Sequence, residues 1–255
     1  MIGKKLLTFP SLQEGILIKR YKRFLADVKL ENGEIVTAHC ANTGPMTGVL
    51  SPGGRVRVRF VDSPSRKLKW SWEQAEVANQ EGNLCWVGIN TSLPNKIVRL
   101  AIEAGLLNSH LGEISEIKNE VKYGSQGNSR IDLFIKPAQR NRDQRNIFLE
   151  IKNTTWTKGP LALFPDTVTA RGQKHLKEMI GVLPLSRSIL VPCISRNDVE
   201  VFAPGDSADH EYGKLFRMAL SSGVEVLPCC FGFFRDHITW QGLRPFLNHE
   251  KEAIF

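Results

Sequence analysis

The chain has 255 residues, of which 42% are hydrophobic and 24% are charged, and 34 lysines and arginines against 26 aspartates and glutamates give a net charge of +8. This composition is typical of a soluble globular protein with one large or two modest domains. No apolar run approaches the roughly 18–20 residues that a membrane span needs, so a transmembrane helix is excluded. We also expect no secretory signal, because the first residues lack the apolar stretch that one contains.

The first part of the chain is predicted to form a small β-barrel. Short apolar runs, separated by turn residues rich in glycine, asparagine and proline, predict strands. The candidates are Gly15–Tyr21, Arg23–Leu30, Glu34–Ala41, Gly54–Val61, Leu68–Val77 and Leu84–Ile89. Several short strands at this spacing indicate a five-stranded, oligonucleotide-binding (OB) fold, and an SH3-like barrel is the alternative.

The same part carries the whole excess of positive charge. Residues 1–70 hold 13 lysines and arginines against 5 acidic residues, a net of 13 − 5 = +8, whereas residues 71–255 hold 21 of each. Because side chains alternate along a strand, Arg55, Arg57 and Arg59 share one face, which suits a polyanion. The alternative is a solvated strand face. The candidate nucleic-acid-binding residues of this part are Lys19, Arg20, Lys22, Arg23, Arg55, Arg57, Arg59, Lys67 and Lys69.

The rest of the chain is predicted to be an α/β domain with a mixed sheet. The predicted helices are 94–104, Thr167–Leu183 and His210–Ser222, and the predicted strands are Glu116–Tyr123, Ser129–Lys136, Asn146–Thr155, Ser188–Ser195, Val199–Ala203 and Val224–Cys230. We therefore divide the chain into a nucleic-acid-binding domain over residues 1–88 and a second domain over residues 89–255.

The five cysteines are predicted to be free thiols of a cytoplasmic protein. They are scattered, odd in number and form no C-x-x-C pair: Cys40, Cys85, Cys193, Cys229 and Cys230. This pattern argues against a disulfide framework and a zinc finger, and it fits a reducing cytoplasm. Free cysteines pack as small hydrophobic residues, so we expect these to be buried.

Two neighbouring strands of the second domain suggest a metal site. Glu150 and Lys152 point to the face opposite the apolar residues of their strand, and Asp132 does the same on the preceding strand. If the strands pair, the three side chains converge, and a divalent cation would offset the repulsion of the carboxylates. All-oxygen ligands favour Mg²⁺ or Mn²⁺. The alternative is a structural ion pair, and Glu120 is a further acidic candidate.

The helix that follows these strands adds positive charge. Arg171, Lys174 and His175, together with Glu178, fall on one side of Thr167–Leu183, opposite its apolar residues. We expect this face to contact a phosphate backbone close to the acidic residues. The alternative is an ordinary solvated helix face.

The sequence resembles the sugar fermentation stimulation protein A (SfsA) family over about residues 10–235. The resemblance lies in the runs Arg20–Val28, Ala38–Met46, Arg66–Trp70, Glu120–Gly124, Ser129–Asp132, Leu149–Asn153 and Phe164–Leu176. It implies an N-terminal OB-fold-like domain and a C-terminal domain similar to PD-(D/E)xK nucleases. It also implies a DNA-binding role linked to sugar (maltose) utilisation.

The resemblance also implies roles for individual residues. Asp132 and Glu150 look like the metal-binding acids, Lys152 like the catalytic lysine, and Glu120 and Gln173 like accessory residues of the catalytic site. One departure is that Ile131 precedes Asp132 where the nuclease motif has proline.

The sequence supports three functions. The first is a metal-dependent nuclease that holds DNA with its barrel. The second is a non-catalytic, largely non-specific DNA-binding regulator of sugar metabolism genes. The third is an RNA-binding or RNA-processing protein, since such barrels often bind single strands. We expect DNA, or RNA, as the partner and no membrane association.

Overall fold

The computed structural model of this chain describes residues 1–124 and 129–250. None of the helices in this part of the chain is long and apolar enough to cross a membrane. The five cysteines are all free and buried, as predicted.

The N-terminal sheet closes into a ring. Its strands are β2 (Leu12–Tyr21), β3 (Leu25–Leu30), β4 (Ile35–His39), β5 (Arg55–Phe60), β6 (Trp70–Ala78) and β7 (Leu84–Gly88). Their order is β4-β3-β2-β5-β6-β7, and an additional parallel pairing of β4 with β6 joins the two sides. The predicted strand runs are confirmed, with ends shifted by a few residues. Alternating apolar side chains fill the ring, among them Val28, Val58 and Trp72.

A mixed sheet forms the centre of the second domain. Its strands are β1 (Lys5–Thr8), β8 (Ile114–Tyr123), β9 (Ser129–Pro137), β10 (Ile147–Thr154), β13 (Arg187–Ile194), β15 (Glu225–Val226), β16 (Cys229–Phe233) and β17 (His237–Leu243). The order is β1-β17-β16-β13-β10-β9-β8, with β15 also beside β13. The pairs β10–β13 and β13–β16 are parallel, whereas β8, β9 and β17 pair antiparallel. The predicted mixed sheet is therefore confirmed.

Helices cover both faces of this sheet. They are α1 (Pro94–Glu103), α2 (Asn108–Leu111), α3 (Ala170–Gly181) and α4 (His210–Ser222). On one face, α1 packs against residues such as Leu149 and Ile151 of β10. On the other face, α3 and α4 pack with Leu190 of β13. Side chains of β10 that alternate with Leu149 and Ile151 therefore point toward α3.

The structure differs from the predicted elements at five places, and two of them are the unpredicted helix α2 and the division of the predicted strand Val224–Cys230 between β15 and β16. The first strand, β1, pairs with β17, so the chain start joins the sheet of the second domain and not the N-terminal ring. The strand β17 lies beyond the last predicted strand and was itself not predicted. A separate small sheet joins β11 (Trp156–Lys158), β12 (Leu161–Phe164) and β14 (Val201–Pro204). The strands β11 and β12 have only three and four residues, too few to show a clear hydrophobic period.

The two domains contact each other along β6 and β7. The backbone nitrogen of Gly88 donates to the carbonyl of Ser195 at 2.8 Å, and Nε2 of Gln74 donates to the carbonyl of Phe234 at 2.8 Å. Gly88 is required here, because a Cβ at this position would overlap the ring of Phe233. The end of the ring is thus packed directly against β16.

Candidate metal and nucleic-acid site

The register of β9 and β10 brings Asp132 and Glu150 together. These antiparallel strands pair Ile147 with Ile135 and Leu149 with Leu133, which sets Asp132 and Glu150 opposite each other one residue further on. There the side chain of Asp132 accepts a hydrogen bond of 2.7 Å from the backbone nitrogen of Ile151. The predicted convergence of the two strands is therefore present in the structure.

Asp132 is half-buried and is held by two hydrogen-bond donors. Its Oδ2 accepts from the nitrogen of Ile151, and its Oδ1 accepts from Nδ2 of Asn95 on α1 at 2.8 Å. Burial and, next, the negative charge of Glu150 raise the pKa of Asp132 to about 6, although both donors act in the opposite direction. Asn95 was not among the predicted residues. It lies 37 positions before Asp132, and no pattern in the sequence connects the two.

Glu150 is almost completely buried, with 2% of its surface exposed. Its Oε1 accepts from Nζ of Lys152 at 2.7 Å and contacts Nδ1 of His175. Burial by itself raises the pKa of Glu150, but His175 and Lys152 outweigh it, so the pKa is lowered and the carboxylate is ionised. Its Oε2 is buried and has no hydrogen-bond partner in the described part of the chain. A buried carboxylate oxygen without a partner is costly and is a natural position for a ligand.

His175 differs from its predicted placement on an outer, phosphate-facing side of the helix. It is buried, on the same face of α3 as Leu176 and Met179, and its Nδ1 lies 3.0 Å from Nζ of Lys152. The structural reason is that this side of α3 packs on β10, where the charge of Glu150 gives the imidazole a polar partner. The sequence signal was present, because His175 is next to an apolar residue of the buried face.

The other basic residues of α3 remain at the surface. Arg171 and Lys174 are exposed, as predicted. Nε of Arg171 lies 3.5 Å from Nε2 of His175, so its guanidinium extends along the outside of the acidic site. Arg171 therefore brings positive charge to the surface next to the buried histidine.

Gln173 binds a residue outside the acidic site, and Glu120 lies at the surface. Nε2 of Gln173 donates to both oxygens of Asp209, the residue that caps α4, at 3.0 Å. Glu120 is exposed, and its positive φ of 54° distorts β8 at the point opposite Asp132. Both residues stay candidates, but the contacts that define the acidic site are made by Asn95 and His175 instead.

The arginines of β5 do not form the row of unpaired charges that the sequence predicted. They share one face, as the alternation predicted, but each is paired with an acid on a neighbouring strand. Arg55 binds Glu14 and Glu76, and Arg59 binds Glu73.

Arg57 lies deepest in this row and is only 8% exposed. It binds Glu14, and its guanidinium lies 3.7 Å from the ring centre of Trp86. Charges that are neutralised inside the fold in this way attract a polyanion much less than free charges do. The row is thus an array of ion pairs, and its buried member Arg57 is not accessible to DNA.

The remaining basic candidates lie around one end of the ring. Lys22 and Arg23 are exposed in the turn between β2 and β3, and Lys19 and Lys67 are also exposed. Lys69 is half-buried and donates to a backbone carbonyl at 2.8 Å.

Arg20 links this end of the ring to the second domain. Its guanidinium donates to the carbonyls of Asn42 and Gly44 at 2.9 Å, which fixes the loop after β4. The same loop reaches the second domain, where the nitrogen of Thr47 donates to Asp166 at 3.3 Å. Asn42 and Asn153, the residue after Lys152, line one small cavity of about 210 Å³ between the domains. The loop that Arg20 fixes therefore reaches the part of the second domain that follows Lys152 in the chain.

The residues present fit a hard divalent cation. Two carboxylates lie side by side, and one of their oxygens is buried and unpaired. No cluster of three or more histidine, cysteine, aspartate or glutamate side chains able to hold a metal occurs within residues 1–124 and 129–250. Mg²⁺ typically keeps several water ligands and needs only one or two carboxylates from the protein. Asp132 and Glu150 meet that requirement, whereas a structural zinc site would need four ligands.

Comparisons with known proteins cover both domains. A family model described as "SfsA N-terminal OB domain" matches residues 18–89, and one described as "Sugar fermentation stimulation protein RE domain" matches residues 92–236. The chain is 74% identical, over its whole length and 99% of the relative, to the sugar fermentation stimulation protein homolog of Prochlorococcus marinus (strain MIT 9211). It is 63% identical to that of Synechococcus sp. (strain WH7803), over 99% of each chain.

A solved structure has the same fold. The SfsA protein of Pyrococcus furiosus, described as being in complex with Ca²⁺, superposes with a TM-score of 0.83 and 25% sequence identity. The match covers 96% of the present chain and 99% of the Pyrococcus chain. The N-terminal ring is thus an OB domain, as the sequence predicted.

Proposed function

Because this chain belongs to the sugar fermentation stimulation protein (SfsA) family, we propose that it binds a divalent metal ion with Asp132 and Glu150 and hydrolyses phosphodiester bonds of DNA. The observation that carries the proposal is the buried, unpaired Oε2 of Glu150 beside the second, half-buried carboxylate of Asp132. The relative from Pyrococcus furiosus was solved in complex with Ca²⁺, which takes oxygen ligands as Mg²⁺ and Mn²⁺ do.

The proposed chemistry follows from the groups around the acids. A bound Mg²⁺ or Mn²⁺ would polarise a phosphate oxygen and lower the pKa of a water molecule. Lys152 brings an ammonium to Oε1 of Glu150, where it can stabilise the negative charge that develops on the phosphate. The backbone of Ile151 and the amide of Asn95 hold Asp132 in position. His175 holds Glu150 from the side of α3.

The proposed DNA surface uses the exposed basic residues and not the arginines of β5. Lys22 and Arg23 stand at the end of the ring whose loop contacts Asp166, and Arg171 and Lys174 stand on α3. A strand held by both groups would pass the acidic site between them. Binding through lysine and arginine to phosphates is sensitive to salt and largely independent of base sequence.

A cleavage assay tests the catalytic part. We expect slow cleavage of DNA in Mn²⁺ or Mg²⁺, abolished by EDTA and reduced at least about a hundredfold in Glu150→Ala and Lys152→Ala. The matched controls are Glu31→Ala and Lys214→Ala, since both residues are exposed and lie outside the acidic site. Equal cleavage by all four variants would contradict the proposal, because it would place the activity at another site or in a contaminant.

Binding and cleavage assays of the unaltered chain separate a nuclease from a DNA-binding regulator. Salt-sensitive DNA binding by the unaltered chain, with no cleavage in either metal, would contradict the nuclease and favour the non-catalytic alternative. Cleavage of RNA but not of DNA would contradict the proposed substrate while keeping the chemistry.

A further inference from the structure

A groove beside the acidic site runs between the end of β8 and the outer side of α3. We propose that this groove binds one nucleotide of single-stranded DNA, next to the phosphate that the acidic site cleaves. The base lies inside the groove, and lysines at its rim bind the phosphates. The position of the nucleotide relative to the cleaved bond rests on the proposed function. The binding itself does not require a metal or a reaction.

The size of the groove suits one nucleotide. Its volume is about 620 Å³, within the roughly 300–1,000 Å³ of sites that take small organic ligands. Lys122 of β8 lies on one side of the groove and α3 on the other, and Tyr123 and Phe148 form its floor. A single nucleotide fits this space, whereas an intact duplex, with its bases paired and stacked, does not present a base to it.

The groove lies next to the acidic site along β10. Phe148 and Glu150 lie two residues apart on β10 and therefore point to the same face, about 7 Å apart along the strand. Tyr123 lies near enough to Glu150 and Asp132 that their charges, after burial itself, raise the pKa of its hydroxyl. A nucleotide in the groove would therefore place its phosphate near the two carboxylates.

Three lysines give the rim a positive charge. Lys122 comes from β8, and Lys174 and Lys177 come from successive turns of α3, and all three are exposed. Among residues 1–124 and 129–250, Glu178 balances part of this charge, at 3.6 Å from Nζ of Lys174. Ammonium groups on both walls of a narrow groove are suited to following a phosphate backbone.

Two buried polar atoms of residues that line the groove have no hydrogen-bond partner among the described residues. Tyr123 is only 5% exposed, and its hydroxyl has no hydrogen-bond partner in the described part of the chain. The same holds for Oε2 of Glu178, whose other oxygen accepts from Ser129 at 2.7 Å. A hydroxyl and a carboxylate together can pair with the edge of a base, which presents donors and acceptors side by side. Buried polar groups normally have hydrogen-bond partners, so a bound ligand is the simplest partner for these two atoms.

The floor of the groove is aromatic. The rings of Tyr123 and Phe148 are stacked, with centroids 5.6 Å apart and an angle of 29° between their planes. Aromatic side chains beside a basic rim are the usual means of holding a base of a single strand, because every base has a flat face. The groove thus combines aromatic rings that can hold a base with lysines that can bind the phosphate backbone.

Gly181 provides a way to close the groove without touching the acidic site. It lines the groove at the end of α3, and a Cβ placed on it would meet nothing within 4 Å. The variant Gly181→Phe should fill the space, and Gly181→Ala is the matched control that leaves it open. Equal melting temperatures of the two variants establish that the fold is intact.

The experiment measures binding of a fluorescein-labelled, single-stranded oligothymidylate of about 12 nucleotides to the full chain in EDTA. We expect Gly181→Phe to weaken binding about tenfold and Gly181→Ala to leave it unchanged. The double variant Lys122→Ala, Lys177→Ala should lower the salt dependence, d log K/d log [salt], by about 1.4 in magnitude. Unchanged affinity in Gly181→Phe would overturn the proposal, and so would equal competition by a blunt duplex of the same length.

The outcomes distinguish this inference from the proposed function. Loss of oligothymidylate binding in Gly181→Phe, combined with no cleavage in Mn²⁺, would support the groove and remove the nuclease. Cleavage that persists together with unchanged binding in Gly181→Phe would remove the groove and leave the nuclease.

Discussion

The carboxylate of Asp132 on β9 accepts a hydrogen bond of 2.7 Å from the backbone nitrogen of Ile151 on β10. The side chain thereby replaces a strand-to-strand contact just beyond the pair Leu149–Leu133. A carboxylate fixed to a main-chain atom has little freedom to turn away. It therefore stays beside Glu150 although the two negative charges repel each other.

The first prediction concerns the metal. Asp132→Asn keeps an oxygen that can accept from Ile151 but removes the charge, so we expect Mn²⁺ affinity to fall by more than about tenfold with little change in folding. Titration calorimetry with Mn²⁺ measures the affinity. The control is Asp62→Asn, at an exposed aspartate. Equal affinities of Asp132→Asn and the unaltered chain would exclude Asp132 as a ligand.

The second prediction concerns the support of Glu150 by His175. His175→Ala leaves a buried carboxylate with one partner fewer, so we expect a loss of about 1–3 kcal/mol in the free energy of unfolding. Lys174→Ala, at the exposed neighbouring position, should change this value by less than about 0.5 kcal/mol. Urea unfolding monitored by tryptophan fluorescence gives both numbers. A result in which the two variants have the same stability would show that His175 is not a partner of Glu150.

The third prediction separates the arginine array of β5 from the basic turn. Arg57→Ala removes the cation from a buried pair with Glu14, and we expect it to cost about 3–5 kcal/mol of stability. The double variant Lys22→Ala, Arg23→Ala should leave stability within about 0.5 kcal/mol.

DNA affinity distinguishes the two variants of this comparison. We expect the double variant to weaken binding about equally for unrelated sequences, and folded Arg57→Ala to bind as the unaltered chain does. Fluorescence anisotropy at moderate salt, at a temperature where both variants are folded, tests this. The reverse ranking of affinities would restore the arginine row as the binding face.

Part of the site could be derived from the sequence, and part of it could not. The alternation of apolar and polar residues on β9 and β10 is local, so it correctly brought Asp132, Glu150 and Lys152 to one place. The same alternation placed Arg57 correctly on a face but could not reveal what covers that face. Its partner Glu14 is 43 residues away and becomes a neighbour only when β2 pairs with β5.

The buried side of helix α3 also depends on a residue that is distant in the sequence. Its buried side includes His175 because β10 presents Glu150 at that point. A helical wheel counts imidazole as polar and assigns it to the outside. Which polar side chain enters the interior is decided by the charge that it meets there, and that charge belongs to another strand.

The fourth prediction concerns acid stability. Burial alone would raise the pKa of Glu14, but the hydrogen bonds and charges of Arg57 and Arg55 outweigh it, and the pKa lies below its ordinary value. The unfolded chain binds this proton at a pH near 4.3. The stabilisation is therefore complete above that pH and is lost as the pH falls through the lower pKa of the folded chain.

Comparison with Glu14→Gln isolates this contribution. The difference in unfolding free energy between the unaltered chain and the variant should be largest at neutral pH and should shrink from about pH 5 to pH 3. Glu31→Gln, at an exposed position, serves as the control and should follow the unaltered chain throughout. A difference that stays constant with pH would mean that the Glu14 carboxylate gains nothing from its arginines.

The pairing of β1 with β17 has a consequence for how the molecule is made. During synthesis the ring can fold once residue 88 has left the ribosome, but Lys5–Thr8 must wait for His237–Leu243, the last strand of the larger sheet. A shortened protein that begins at residue 89 would leave the outer edge of β17 without its neighbour. Unpaired edges of this kind recruit other chains, so such a fragment is expected to aggregate where the whole protein does not.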